Sequence, residues 1–138
     1  MADQARLFPK GLPRDQFATL VEHATTAEKM SPQDLSRFVN RHVQETELAF
    51  IQNRMVNARL AKAIAEVAER ILQDWESFTI DQRYWLGGAI YYFADSRDNE
   101  HDFNSPIGFE DDAEVLNVCL AFANRPALCI AVEDYDHA

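Results

Sequence analysis

Asp98, Asp102, Asp111 and Asp112 fall within fifteen residues, with Glu100 and His101 between the first two. Carboxylates crowded in this way either raise one another's pKa or recruit a cation. The donor set suits Mg²⁺ or Ca²⁺, which prefer oxygen ligands. A metal-dependent hydrolase would hold Mg²⁺ or Mn²⁺ on these four aspartates and use His101 or Glu100 as general base. The spacing is not that of an EF-hand, since the alternating ligands and the closing Glu are missing. The structural alternative needs no metal. Asp111 or Asp112 caps the following helix, Asp98 and Asp102 bond loop amides, and Arg97 or Arg83 neutralises one of them. Short motifs of common residues favour that alternative, and no catalytic residue is assigned.

Other reactive groups form no constellation. His23, His42, His101 and His137 lie in different segments, and neither a nucleophile elbow nor a phosphate-binding glycine loop occurs. Cys119 and Cys129 sit in apolar surroundings ten positions apart, which predicts two buried, reduced thiols rather than a zinc site or a disulfide.

Helices must carry these residues. After an irregular arm over 1–12, Phe17, Leu20, Val21 and Ala24 recur at helical spacing. Ser31-Pro32 places an N-cap before a proline at the first helical position. From Glu45 to Trp75 two apolar stripes run without Gly or Pro: Leu48, Ile51, Met55 and Ala58, then Leu60, Ile64, Val67, Ile71 and Trp75. Read together they predict one long central helix, with Lys62–Glu66 and Glu66–Arg70 pairs on its outer side. Thr79 or Asp81 caps the next helix, whose interior Gly87-Gly88 predicts close approach by a neighbour. A polar stretch over 95–110 makes a long acidic loop, and a helix from about Asp111 ends at Asn124-Arg125-Pro126. The expected fold is all-α: a compact bundle of about five helices, one domain over 1–138, with a frayed tail at 134–138.

One segment resembles a known family. Tyr92, Asp98, Asp102, Gly108 and the Asp111-Asp112 pair follow the pattern of the YkvA-like domain, a short bacterial helical domain of unestablished function. The resemblance covers residues 80–123. Ser96 and His101 stand where that family usually has proline, which makes this loop more hydrophilic, and the apolar flanks of its membrane-associated members are missing.

Charge bounds the function. The 138 residues carry a net charge of −10, unevenly placed: residues 1–70 hold 10 basic and 9 acidic groups, and residues 71–138 hold 3 and 14. So acidic a half repels phosphate, which argues against nucleic acid and for a protein partner with a basic surface. The most apolar run, Tyr84 to Ala94, is far short of the roughly 20 residues a membrane-spanning helix needs. The first residues show no signal-peptide core, so the expected address is the cytoplasm. The expected function is therefore non-enzymatic: an adaptor, inhibitor or assembly component. Its interaction surface is assigned to Tyr91, Tyr92, Asp95, Asp98, Glu100, His101, Asp102 and Glu110. The alternatives are the metal-dependent hydrolase and self-association as a homo-oligomer through the second stripe of the 45–75 segment.

Overall fold

Capping explains most of the helix boundaries. In the computed structural model, which describes residues 7–54, 56–95 and 109–135, Ser31 accepts from the Asp34 amide and Asp34 answers to the Ser31 amide. This capping box opens α2, Pro32–Gln52, after α1, Arg14–Ala27. Thr79 and Gln82 form a second box that opens α4, Ile80–Ala94. The final helix, α5, spans Glu110–Phe122. It ends in a Schellman motif: the Arg125 amide donates to the Leu120 carbonyl at 2.9 Å and the Asn124 amide to Ala121 at 3.2 Å. Asn124 takes the left-handed conformation, φ 62°, that such a motif requires. The fold is all-α, with no strand among the described residues.

The segment 45–75 is not one helix. Asn53 leaves helical geometry, and Asn57 restarts the chain by accepting the Leu60 amide at 3.1 Å, opening α3, Ala58–Gln73. Asparagine is among the best N-caps, so Asn57 can restart a helix inside a run that contains neither glycine nor proline. The step from Ala58 to Leu60 between the stripes is the same break seen as a change of phase. The two stripes then part company. Leu60, Ile64 and Ile71 of α3 are buried in the core, whereas Leu48 and Ile51 of α2 are exposed. The inward face of α2 continues Leu35 and Val39 through His42 and Thr46. Thr46 Oγ1 donates to the His42 carbonyl at 2.8 Å, and the His42 ring packs edge-on against Phe93 and Phe109.

The central helix is α4. It is apolar all round, with Trp85 through Ile90, Phe93 and Ala94 all buried, and it packs on α1, α2 and α5. Its contact with α1 is made possible by Gly88, where an added Cβ would sit 2.6 Å from the Ala24 Cβ and 2.8 Å from its Cα. The arm before α1 is fastened too: the Trp85 indole donates to the Leu7 carbonyl at 2.9 Å, and Phe17 packs between Phe8, edge-on, and Trp85. After α5, two single 3₁₀ turns, Pro126–Leu128 and Val132–Tyr135, close the described chain. They return it to the α2–α3 corner, where Asn57 Nδ2 donates to the Tyr135 carbonyl at 3.0 Å.

Candidate functional site

Three places gather the groups that could act. The first lies where α4 ends against α1. Asp95 follows the last turn of α4, and its Oδ2 is 2.9 Å from His23 Nε2 on α1. His23 is 6% and Asp95 4% exposed, beneath the rings of Tyr91 and Tyr92. His23 Nδ1 lies 2.8 Å from the Thr19 carbonyl one turn earlier. A carbonyl only accepts, so Nδ1 carries a proton and donates it. A second proton must then occupy the Nε2–Oδ2 contact, as an imidazolium facing a carboxylate or a neutral ring facing a carboxylic acid. Both ring nitrogens are spent in either case, and His23 has none to offer a substrate as general base. The pair fixes the start of the acidic stretch to the body of the protein.

The second place is the start of α5. Phe109 occupies the N-cap position and brings no side-chain cap of its own, which places Asp111 and Asp112 inside the first turn rather than at the cap. Both lie in its first turn with Glu110, where the helix dipole favours negative charge. Neighbouring positions on a helix point about 100° apart. Accordingly Asp111 is exposed, Asp112 is buried and Glu110 is half-buried. Among the described residues no three His, Cys, Asp or Glu side chains are placed to hold a metal ion. Asp98, Glu100, His101 and Asp102 lie outside the described residues. Arg83 is engaged elsewhere, donating from Nε to the Trp75 carbonyl at 3.0 Å and reaching Glu76.

No family model matches the chain, nor does any curated protein or solved structure. The likeness to the YkvA-like domain therefore rests on the motif residues alone.

Of the assigned interaction surface, Tyr91 and Tyr92 are half-buried and Asp95 is not on the surface at all. Helical spacing put Asp95 at the end of α4, but nothing in the sequence ties it to a histidine 72 positions away. Of the two cysteines expected to be buried, one is. Cys119 is buried and its thiol is pushed far above the usual range by desolvation. Cys129 is exposed, donating weakly to the Asn117 carbonyl at 3.6 Å, with its thiol raised less strongly by partial burial.

The third place was not singled out from the sequence as a site. Where α2 turns into α3, a groove of about 470 Å³ is floored by Phe50, Ile51 and Ala58 and rimmed by Arg54, Arg59 and Lys62. Ile51 of that lining is 67% exposed, and Leu48, one turn before it on α2, is 65% exposed. Lys62 reaches across the corner to Glu47 at 3.7 Å. The Arg54 guanidinium lies over the Phe50 ring, 4.6 Å from its centroid, and Arg59 lies over Tyr135. The signal was present in the sequence: Leu48 and Ile51 fall out of phase with Leu35 and Val39, and both stripes could not face one core. Of the second stripe, Leu60, Ile64 and Ile71 are buried in the core and Val67 and Trp75 are half-buried against it.

Proposed function

We propose that this chain acts in the cytoplasm by binding another protein, as an adaptor, inhibitor or assembly component, and not by catalysis. The observation that carries the reading is the pair Leu48 and Ile51. Two large aliphatic side chains held in water one turn apart, beside a concave apolar floor, are what an interface leaves exposed in the free molecule. Scattered single leucines would need no explanation. The chemistry supports it from the other side: His23 has both nitrogens engaged and Cys119 lies in the core as a neutral thiol.

The acidic half supplies a second contact region. Asp111 and Glu114 are exposed on the first turns of α5, one turn apart, and suit a partner surface with lysines or arginines. Helix spans long and apolar enough to cross a membrane are absent among the described residues. The test is recovery of the tagged full-length chain from its own cells at low salt. A partner retained by the wild type and released by Leu48→Ser with Ile51→Ser is expected. Recovery of the chain alone under those conditions refutes the proposal.

A further inference from the structure

We infer that the α2–α3 groove receives an acidic amphipathic segment of the partner, an inference that rests on the protein-binding function proposed above. The floor and the edge ask for apolar side chains: Phe50, Ile51 and Ala58 line the groove, and Leu48 stands one turn before Ile51 on α2. Such spacing pairs naturally with a helix whose anchors recur at i, i+3 or i+4, and i+7. The rim asks for carboxylates. Arg54, Arg59 and Lys62 surround the floor, and Glu47, the acidic residue of the lining, already faces Lys62. Arg54 is exposed, with its guanidinium carbon 4.6 Å from the centroid of the Phe50 ring, and no carboxylate pairs with it among the described residues. Arg41, two turns before Leu48 on the same face of α2, is exposed and extends the basic border.

Charge also decides against the other occupants. A second copy meeting this face through a two-fold axis would set six cations of the lining against two carboxylates. A lipid surface can touch the exposed Leu48 and Ile51 but leaves the half-buried Phe50 and Ala58 of the lining unmet. The groove sits in the half of the chain with net charge +1, and the acidic half is left to contact a basic surface. The molecule thus has two faces of opposite preference.

Two synthetic helical peptides with the same leucine spacing test this, one flanked by glutamates and the other by lysines. Each is titrated calorimetrically into the full-length protein, with amide shifts mapping the site. The glutamate peptide is expected to perturb residues 47–62 and to bind about tenfold more tightly than the lysine peptide. Arg54→Glu with Arg59→Glu should reverse that order. Leu48→Ser with Ile51→Ser should weaken the glutamate peptide about tenfold, and because both positions are exposed the helical signal should not change. No binding, binding unaltered by these variants, or a preference for lysine overturns the inference. So does a dimer in sedimentation, or binding to anionic phospholipid vesicles, that the Leu48/Ile51 variant abolishes. Failure of the peptides while the same variant still releases a native partner refutes the acidic segment alone. A partner retained equally by wild type and variant refutes the binding role of this face.

Discussion

Gly87 and Gly88 are neighbours in α4, yet alanine at the two positions should move stability in opposite directions. At Gly88 the new Cβ would sit 2.6 Å from the Ala24 Cβ, 2.8 Å from its Cα and 3.0 Å from its backbone nitrogen. Carbon atoms in contact rest about 3.5–4.0 Å apart, so α1 and α4 must separate by roughly an ångström. The obstacle is mainly helix backbone, which cannot rotate away. Overpacking of this kind costs about 1–3 kcal/mol, and the helix preference of alanine over glycine returns at most about 1 kcal/mol. The net expectation for Gly88→Ala is a loss of about 1–2 kcal/mol. At Gly87 the nearest atoms are Trp75 Cη2 at 3.5 Å, Ala27 Cβ at 3.7 Å and Leu35 Cδ1 at 3.8 Å, which is ordinary contact. Gly87→Ala should therefore gain about 0.5–1 kcal/mol from the restricted unfolded chain. Thermal and urea melts of the three proteins decide it. For a chain of this length the two variants should differ in Tm by about 6–10 °C, with wild type between them. Shifts of the same sign would refute the close approach of α1 to α4.

Four further outcomes follow from the structure. Asp95→Ala leaves the buried His23 Nε2 without its carboxylate and should cost about 3 kcal/mol in urea melts, and Asp95→Asn, which keeps an acceptor at that position, should cost less; equal losses in the two variants would contradict the pairing. Asn57→Ala removes the α3 cap and the bond to Tyr135 and should cost about 1–2 kcal/mol, while Asn57→Asp restores the cap alone. A thiol reagent at neutral pH should modify Cys129 alone in the native protein and both cysteines in denaturant, the native rate rising with pH as the Cys129 thiol ionises above its ordinary range. Millimolar Mg²⁺ or Ca²⁺ should leave Tm unchanged; a rise lost in Asp98→Asn would instead establish a cation site on the acidic stretch.

What could be read from the sequence was what local chemistry decides. Ser31-Pro32, Thr79 and Asn124-Arg125-Pro126 set their helix boundaries through caps made within three or four residues, and Gly88 announced a close neighbour. The misread segment, 45–75, shows how periodicity misleads. Its two stripes were each helical, but their phases differ by the short step from Ala58 to Leu60, and only a break at Asn53–Asn57 lets one stripe reach the core. The inward face of α2 was hidden because His42 and Thr46 are polar by type. They are accommodated by aromatic packing and a backbone hydrogen bond that no local pattern encodes. The His23–Asp95 pair spans 72 positions and is a product of the packing of α1 on α4. Of the expected site, α5 keeps Glu110, Asp111 and Asp112 on one turn but disperses them between solvent and core, because adjacent helical positions diverge.

The bond from Asn57 to Tyr135 has a kinetic meaning. It joins residues 78 apart, so the closing 3₁₀ turn can dock only after the helices before it have gathered. A contact that forms after the folding transition state is expected to slow unfolding without changing the rate of folding, which the kinetics of Asn57→Ala would test. The last turn therefore behaves as a clasp on the α2–α3 corner. How long the groove beside that corner keeps its shape depends on a stretch of chain with no side chain in the core of that groove.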